Sequence, residues 1–487
     1  MWSTLSTYWP HLLAVLSVAM AAAGIIHAVM TKEEVRAAIG WVGVIILSPI
    51  LGALVYAVAG INRIRRASIT SERRRTSSAV LSRLGQADVP RSLVTDLFGE
   101  RFGAMKTLGD RVSKHPMTSG NAILLLKDGD EAYAAMIAAI DGARRSIILE
   151  TYIFDRDAIG LRLAGRLIAA VGRGIEVRVL IDAVGARYSA PSIIGDLRAG
   201  GVPVELFNGR LIAGLRLPYA NLRTHRKILV VDGAVAFAGG MNIREGFTRE
   251  FAGEAFSRDT HFRLTGPAVS ELFQVAAQDW RFASGLALEG EAWRAALPPT
   301  APFGAPVFVR TVPSGPDAMV ETSHRMLMGA FSVAQRSIRI MSPYFLPDRE
   351  LISALTTAAR RGVEVDIVVP ANNNLFLVDR AMLAQFDQVL KNYCRIWRRP
   401  GAFDHSKLLC VDGVWAFIGS SNLDPRSLRL NFEIDMEVLD AQFAGDIDQR
   451  IAEAIEGAEA VTLEGLRARP FPIRLMDRLL WLGSPYL

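Results

Sequence analysis

Two segments of the chain place the same polar residues at the same spacing around an apolar run. THRKILVVDGAVAFAGGMN begins at Thr224, and DHSKLLCVDGVWAFIGSSN begins at Asp404. Each has a histidine, a lysine two residues later, an aspartate five residues after the lysine and an asparagine ten residues after that. The matching residues lie 180 positions apart and are His225 and His405, Lys227 and Lys407, Asp232 and Asp412, and Asn242 and Asn422. A full match at two of only seven histidines indicates a shared role rather than chance.

The apolar run inside each segment predicts how these side chains are presented. Ile228 to Val231 and Leu408 to Val411 read as buried strands of a sheet. Side chains two residues apart project from the same face of a strand, so each histidine emerges together with its lysine at the strand's edge. The aspartate lies beyond the far end of the strand. The small pairs Gly239–Gly240 and Gly419–Ser420 allow close backbone approach, beside an asparagine that supplies a neutral amide.

Two such sets facing each other favour phosphoryl-type transfer. One imidazole attacks phosphorus while the other protonates the leaving oxygen, and the lysines and asparagines hold the phosphoryl oxygens. This chemistry depends mostly on positioning and charge stabilisation, so the inventory suffices without a metal or other cofactor. The attacking imidazole must start neutral and the acid protonated, which explains why two histidines are needed. His115, His261 and His324 lack such neighbours, and we expect structural roles for them.

The elements that position the two sets also occur twice. Ala143 to Phe154 reads as a strand that follows an amphipathic helix, and Ala334 to Phe345 repeats it. Gly172 to Ala183 reads as the next strand, and Ala359 to Pro370 repeats that one. Strands separated by helices of this length indicate βαβ units, and the preserved order indicates a duplicated α/β domain. The Pro-rich stretch from Leu297 to Pro316 is the predicted connection between the halves.

The start of the chain predicts a membrane anchor. Leu12 to Met30 is apolar except for His27, and Ala37 to Ile61 contains no charged residue. Each is long enough to cross a hydrocarbon core of about 30 Å as a helix, with Pro49 as a kink in the second. The short polar turn from Thr31 to Arg36 makes them a predicted transmembrane hairpin. The first residues lack the basic region of a signal peptide, which favours a retained helix.

Basic residues predict the orientation of this anchor. Six arginines follow the second apolar run within 13 positions, against the single acid Glu72. By the positive-inside rule, the rest of the chain lies on the cytoplasmic side. The net charge of +6 suits either nucleic acid or an anionic lipid surface. Only Cys394 and Cys410 are present, so no disulfide framework is expected.

Taken together, the two motifs resemble the phospholipase D superfamily, and within it the chain is similar to bacterial cardiolipin synthases over residues 10–487. The resemblance extends beyond the histidine motifs to Trp41–Gly60, His115–Tyr133, Glu150–Gly160, Arg258–Val269, Gly419–Glu433 and the closing WLGSPYL. It implies an α/β fold of two duplicated phospholipase D-like domains with the active site at their interface, plus the N-terminal two-helix hairpin. The implied boundaries are 1–62 for the hairpin, 63–120 for a basic cytoplasmic linker, and 121–300 and 301–487 for the two domains.

The resemblance also implies residue roles. His225 would be the nucleophile that forms a phosphatidyl-histidine, and His405 the general acid and later the base. Lys227, Lys407, Asn242, Asn422 and Ser420 would bind phosphate, and Asp232 and Asp412 would orient the set. Glu433 would partner a histidine or form a structural salt bridge. Asp404 beside His405 departs from the family pattern, and it either raises the pKa of His405 or points to solvent.

Other functions remain open at this point. The same covalent intermediate serves a phospholipase D hydrolase releasing phosphatidic acid, and a basic chain fits a nuclease, although a nuclease leaves the anchor unexplained. A catalytically dead lipid-binding scaffold would not need both motifs intact. The expected partners are phosphatidylglycerol, other anionic phospholipids and the bacterial inner membrane, with no nucleic acid. The sequence does not distinguish phosphatidylglycerol, phosphatidylethanolamine or another alcohol as acceptor, nor does it indicate an oligomeric state.

Overall fold

The structure is a computed structural model of the 487-residue chain that describes residues 2–32, 34–60, 88–208, 222–293, 307–317 and 319–484. The predicted arginine cluster after the second apolar run and the first half of the Pro-rich connection, 297–306, lie outside the described residues. The second half of that connection is folded, because Val307–Ser314 forms a strand. The chain separates into an N-terminal unit, described here for residues 2–60, and a larger body that contains both histidine motifs.

The N-terminal unit contains one helix with the length and composition to cross a membrane. Its helices are α1 (Trp2–Thr31), α2 (Val35–Leu47) and α3 (Pro49–Val55), followed by a π-helical turn (Tyr56–Gly60). Residues Tyr8–Thr31 of α1 have a mean hydropathy of 2.3 over their most apolar window. The second predicted span is interrupted at Ser48, because a proline disfavours helical geometry in the residue before it. A two-helix transmembrane hairpin is therefore not confirmed.

The larger body is an α/β structure. Its strands are β1 (Thr118–Leu126), β2 (Ser146–Thr151), β3 (Glu176–Asp182), β4 (Val204–Phe207), β5 (Arg223–Thr224), β6 (Ile228–Val231), β7 (Val235–Gly239), β8 (His261–Thr265), β9 (Val307–Ser314), β10 (Ser337–Met341), β11 (Glu364–Pro370), β12 (Arg395–Arg399), β13 (Leu408–Val411), β14 (Trp415–Gly419), β15 (Asn431–Leu439) and β16 (Glu459–Ala460). Its helices are α4 (Arg91–Phe98), α5 (Glu100–Val112), α6 (Gly129–Asp141), α7 (Ala158–Gly172), α8 (Ile194–Ala199), α9 (Arg249–Ala252), α10 (Ala268–Ser284), α11 (Thr322–Val333), α12 (Arg349–Arg360), α13 (Phe376–Leu390), α14 (Pro425–Arg429), α15 (Ala441–Glu456), α16 (Leu463–Ala468) and α17 (Phe471–Leu482).

The strand order confirms the duplication. The first half runs β1-β8-β7-β6-β2-β3-β4, and the second runs β9-β15-β14-β13-β10-β11-β12 with β16 added at its edge. In each half the three strands joined by helical crossovers are parallel, and the remaining strands are antiparallel. The halves meet where β1 pairs with β9 and β9 pairs with β15, so one sheet continues through both.

Each half has its own apolar core, and long helices cover the sheet. In the first half α10 packs against β2, β4, β6, β7 and β8, and in the second α15 packs against β10 to β15. Strands β6 and β13 are wholly buried, as their unbroken apolar runs predicted. The histidine motifs therefore begin at the ends of rigid central strands.

Part of the segment predicted as a linker is folded instead. Helices α4 and α5 bury Val94, Phe102 and Met105 in the core of the second half. One turn after Phe102 in α5, the buried Lys106 pairs with Asp88 and Asp110. The basic composition of residues 63–120 hid this amphipathic pattern, because its apolar residues are spaced for a helix face and separated by charges.

The two motif aspartates bond to the backbone at the start of neighbouring strands, which indicates a structural role and not a catalytic one. Asp232 and Asp412 follow β6 and β13 in left-handed backbone conformations, with φ of 55° and 56°. Asp412 accepts hydrogen bonds from the backbone N–H groups of Gln335 (3.0 Å), Arg336 (2.7 Å) and Ser337 (2.9 Å), and it pairs with Arg101. Asp232 accepts the equivalent bonds from residues 144–146. Each aspartate therefore fixes the start of a neighbouring parallel strand.

We expect Asp412→Asn to lower the free energy of unfolding by about 1–3 kcal/mol, because buried amides lose a charged acceptor. Burial raises the pKa of Asp412, but the three backbone amides and Arg101 outweigh it and hold that pKa below its usual range. A lowered carboxyl pKa contributes stability at neutral pH that is lost as pH falls through the folded-state value. The difference in thermal midpoint between variant and wild type in detergent should therefore be nearly the same at pH 7 and pH 4, and it should narrow only as pH falls below the unfolded-state pKa of 3.8.

Asp412→Ala should be less stable than Asp412→Asn, since asparagine tolerates left-handed backbone better than alanine. Asp232→Asn is the matched control in the other half. Turnover per folded molecule should stay near wild type in both asparagine variants. A large loss of turnover with an unchanged midpoint would contradict the structural role.

Candidate active site

The two motif histidines are held by backbone bonds that cross between the halves. Strand β5 of the first half pairs in parallel with the start of β15 in the second. The N–H of His225 donates to the carbonyl of Phe432 at 2.8 Å, and the N–H of His405 donates to the carbonyl of Arg258 at 2.7 Å. The duplicated halves thus exchange the same backbone contact at each histidine.

Each imidazole also bonds to a carboxylate from the opposite half. His225 Nδ1 lies 2.9 Å from Glu433 Oε2, and His405 Nδ1 lies 2.7 Å from Asp259 Oδ2. Both carboxylates are fully buried. A carboxylate at this position accepts a hydrogen bond from Nδ1–H. The lone pair of the neutral imidazole is then on Nε2. Glu433 was predicted as a possible histidine partner, whereas Asp259 was missed. The signal for Asp259 in the sequence was its position. Asp259 lies just before β8, and Glu433 lies near the start of β15, which is the equivalent strand of the second half.

Arg226 fixes the strand that carries Glu433. It lies between the motif histidine and lysine on the opposite face, is 1% exposed and pairs with Asp279 of α10. Its guanidinium also donates to the carbonyls of Glu433 (2.9 Å) and Ser314 (3.1 Å) in the second half. The second motif has Ser406 here, whose hydroxyl lies 2.8 Å from that of Thr260.

Ser420 supports a carboxylate instead of facing substrate. Its hydroxyl donates to Glu433 Oε2 at 2.6 Å and accepts from the N–H of Ile434 at 2.9 Å. The residue is fully buried, in contrast to the predicted phosphate-binding role. At the equivalent Gly240, a Cβ would come within 2.6 Å of Asp259 Oδ1. Gly240 of the first motif therefore makes room for the carboxylate of Asp259, while Ser420 of the second motif bonds to the carboxylate of Glu433.

The ammonium group of each motif lysine bonds to the backbone carbonyl of the histidine in its own motif. Lys227 Nζ donates to the carbonyl of His225 at 2.6 Å, and Lys407 Nζ donates to the carbonyl of His405. Lys407 Nζ is also 2.9 Å from His405 Nδ1, so this nitrogen lies close to both an ammonium and the carboxylate of Asp259. The two imidazoles therefore differ in their immediate charge environment.

The histidines and asparagines open into one cavity of about 1000 Å³ between the halves. Asn242 Oδ1 accepts from the N–H of Ile153 at 3.1 Å, which directs its amide N–H groups elsewhere. Asn422 Oδ1 is buried and has no hydrogen-bond partner within the described chain. Four arginines (Arg156, Arg223, Arg244 and Arg426) and four acids (Asp155, Asp157, Glu245 and Asp424) also line the cavity, together with apolar residues that include Phe247, Phe251, Leu346, Leu375, Val378 and Phe403. A pocket that combines charged groups with apolar walls suits a molecule with a polar head and apolar parts.

Burial dominates the protonation of the site. It lowers the pKa of His225 and of His405 well below the usual value, and the nearby lysines lower both further. Burial also lowers the pKa of Lys227 to about 7 and that of Lys407 to about 8. It raises the pKa of Glu433 and of Asp259 to about 7. Both imidazoles are therefore neutral near pH 7, and the lysines and carboxylates titrate close to that pH.

The remaining polar residues named in the sequence lie elsewhere. Asp232 and Asp412 are at the far ends of β6 and β13, about 16 Å of extended chain from the motif lysines. They do not line the cavity. Asp404 is buried and pairs with Arg450 at 2.6 Å, so it does not point to solvent. Its charge acts to raise the pKa of His405, as predicted, but burial and the two motif lysines outweigh it and lower that pKa.

Among the described residues, His324, Asp348 and Glu350 have ligand atoms within 4.8 Å of one another. His324 Nε2 lies 2.9 Å from Asp348, which also lies 3.4 Å from Arg429. Asp348 additionally caps the start of α12 by accepting from the N–H of Leu351 at 3.0 Å. These contacts form a charge cluster outside the cavity and are consistent with a structural role for His324.

Known proteins carry the same combination of segments. Residues 136–258 and 327–455 match the family model described as "Cardiolipin synthase, PLD-like domain", and residues 19–60 match the model described as "Phospholipase D-nuclease N-terminal". The chain is 31% identical over 483 residues to "Cardiolipin synthase" of Geobacillus kaustophilus, covering 98% of this chain and 94% of that protein. This chain belongs to the cardiolipin synthase family of the phospholipase D superfamily.

A second relative agrees with this placement, and a solved structure shares the fold. The chain is 32% identical over 469 residues to "Cardiolipin synthase A" of Pseudomonas aeruginosa, covering 94% of this chain and 91% of that protein. The crystal structure of phosphatidylserine synthase from Haemophilus influenzae superimposes with a TM-score of 0.58 at 16% identity. It covers 79% of this chain and all of that one, and it shows the shared fold.

Replacing Glu433 by glutamine tests the crossed carboxylate. The amide keeps the size of the side chain but loses the charge that holds the Nδ1 proton, so turnover should fall on the order of 10²- to 10⁴-fold. Steady-state kinetics should show the loss mainly in kcat. Asp259→Asn should behave similarly at His405. Ser420→Ala, which removes one hydrogen bond to Glu433 and leaves the charge, should lose much less, and an equal loss in the two variants would contradict this assignment.

Proposed function

We propose that this protein is a membrane-anchored phosphatidyltransferase that converts two phosphatidylglycerol molecules into cardiolipin and glycerol. The observation that carries the proposal is the pair of neutral histidines in one cavity, each bonded to a buried carboxylate from the opposite half. The family relationship supports cardiolipin as the product.

In the first step, His225 Nε2 attacks the phosphorus of one phosphatidylglycerol. The bond from phosphorus to the glycerol headgroup oxygen breaks, and that oxygen takes a proton from Nε2 of protonated His405. The products of this step are free glycerol and a phosphatidyl group on His225. Glu433 stabilises the positive charge that develops on the attacking imidazole, which is the usual role of a buried carboxylate on Nδ1.

In the second step, a headgroup hydroxyl of another phosphatidylglycerol resolves the intermediate. Neutral His405 accepts the proton of this hydroxyl as its oxygen attacks phosphorus, and the bond from phosphorus to His225 Nε2 breaks. Cardiolipin leaves with both histidines in their starting protonation states. Asp259 assists His405 in both steps, because it stabilises the imidazolium whenever Nε2 of His405 carries the transferred proton.

The charge of the substrate is needed to protonate His405. In the empty site, burial and, after it, the nearby lysines depress the pKa of both imidazoles. A phosphodiester carries one negative charge, and when it enters the cavity it offsets the lysines and raises the pKa values of its neighbours. Lys227 and Lys407 then turn from the histidine carbonyls to phosphoryl oxygens, and the amides of Asn242 and Asn422 donate to the same oxygens.

The anchor and the domain boundaries belong to the same proposal. Residues 1–62 cross the inner membrane as a hairpin of α1 with the broken α2–α3 segment, and residues 63–120 lie on the cytoplasmic side, where α4 and α5 pack into the core of the second half. Residues 121–300 and 301–487 are the two catalytic halves. The single long apolar helix and the match of residues 19–60 to a family N-terminal model support membrane attachment.

A product analysis tests the reaction. Purified protein with phosphatidylglycerol in mixed micelles, without divalent metal, should yield cardiolipin and glycerol in equal amounts by mass spectrometry. His225→Ala and His405→Ala should each lower the rate at least about 10³-fold. Rapid denaturation of the wild-type protein during turnover, at neutral to mildly alkaline pH because the phosphorus–nitrogen bond is labile in acid, should place the phosphatidyl adduct on His225. An adduct on His405 would reverse the roles, and phosphatidic acid without cardiolipin would indicate a hydrolase or a different acceptor such as phosphatidylethanolamine.

The pH dependence of kcat/KM tests the electrostatics. Glu433 and Asp259, with pKa raised to about 7 by burial, must be ionised, so activity should rise as pH increases through neutrality. Lys227 and Lys407, with pKa lowered by burial to about 7 and about 8, must be protonated to bind phosphate, so activity should fall as pH rises above those values. The profile should be bell-shaped with a narrow maximum, and Glu433→Gln should move its acid limb. A flat profile between about pH 6 and pH 9 would contradict these assignments.

A further inference from the structure

The C-terminal helix α17 exposes an apolar stripe that the catalytic reaction does not use. Phe471, Leu475, Leu479 and Leu482 recur at helical spacing on one face and are 67%, 47%, 59% and 69% exposed. A soluble surface rarely leaves such a continuous apolar patch uncovered, so a patch of this kind marks an interaction site.

The helix is anchored by its opposite face. Asp477 is fully buried and lies 2.6 Å from Arg380 Nε of α13 and 2.7 Å from Arg469. Trp481 packs against the core of the second half, and Arg478 pairs with Asp387 at 3.0 Å. Because these contacts hold α17 on α13, the apolar stripe is a fixed feature of the catalytic body rather than a loose tail.

Helix α13 joins this stripe to the mouth of the active-site cavity. It begins at Phe376, one helical turn before Arg380, where Asp477 of α17 is bound. Leu375 lines the cavity and is 46% exposed, and the adjacent Phe376 and Leu377 are also exposed. Across the cavity, Phe251 of the first half lines the mouth and is exposed as well. Exposed apolar residues therefore continue from α17 to the rim of the site.

We infer that α17 lies in the plane of the membrane surface and, with Leu375 to Leu377, docks the catalytic body so that the cavity opens directly into the lipid. Its 12 residues are too few to cross a bilayer, whereas an amphipathic helix with arginines beside an apolar face is typical of the lipid interface. Arg467 and Arg474, which are both exposed, suit anionic headgroups.

This inference rests on the proposed lipid substrates. A phosphodiester must reach His225 and His405 while its acyl chains stay out of water, and a mouth seated on the bilayer allows both. Docking at this rim also limits the access of bulk water to a phosphatidyl-histidine, which favours transfer to a lipid hydroxyl over hydrolysis.

A fluorescence experiment tests the contact itself. The full-length chain has only two cysteines, Cys394 and Cys410, and both are buried, so an environment-sensitive dye can be placed selectively on Leu479→Cys. In phosphatidylglycerol vesicles its fluorescence should be quenched by nitroxide-labelled lipids, whereas a dye on Gln442→Cys, exposed on α15, should not be. An unquenched dye at position 479 would overturn the inference. The inference would also be overturned if, in detergent, the dye became more shielded as the protein concentration increased, because this would show that a second copy covers the stripe.

A paired activity assay tests the consequence. Leu475→Gln with Leu479→Gln should lower cardiolipin formation on the order of tenfold in reconstituted vesicles. The rate in detergent micelles, where substrate is already dispersed, should stay close to wild type. Leu161→Gln with Leu286→Gln is the matched control, since both residues are exposed in the first half away from the stripe. An equal loss in micelles and vesicles would overturn the inference. If wild type makes no cardiolipin in either medium, the proposed function fails, and the dye experiment still decides the docking.

Discussion

A histidine that attacks or protonates a phosphodiester needs an acceptor on one ring nitrogen so that the other is free for chemistry. In this chain that acceptor always comes from the opposite half: Glu433 for His225 and Asp259 for His405. Neither half alone therefore holds a competent imidazole. The pairing of β1 with β9, and the exchanged backbone bonds at both histidines, keep the halves in the one register in which both bonds form.

The same arrangement concentrates charge where water is excluded. Two lysines, two carboxylates and two imidazoles lie buried around one cavity, and burial drives the pKa values of the acids up and those of the bases down. This is costly for the empty protein, and an anionic phosphate offsets part of that cost when it binds. Interactions that strengthen as charge develops on phosphorus contribute to the rate rather than to substrate affinity alone.

Much of the fold followed from patterns in the chain. The apolar runs before Asp232 and Asp412 predicted buried strands, and β6 and β13 occupy them. Repeated strand and helix periodicity predicted the duplication that the strand order confirms. Helices α4 and α5 were missed because charged residues separate the apolar positions of their buried faces. The break at Ser48 in the second apolar run depends on local geometry before a proline, which length and hydropathy do not report.

The sequence by itself determined which residues we propose for the chemistry: two histidines, two lysines and two asparagines at one spacing, because strand periodicity fixes which side chains share a face. Only the tertiary structure decided how they are used. It turned the motif aspartates to the start of neighbouring strands, placed Ser420 on Glu433, and brought Asp259 to His405 across 146 residues. Contacts between distant segments depend on how the two halves of the sheet join and on which buried acid needs a partner. The local spacing of residues predicts neither.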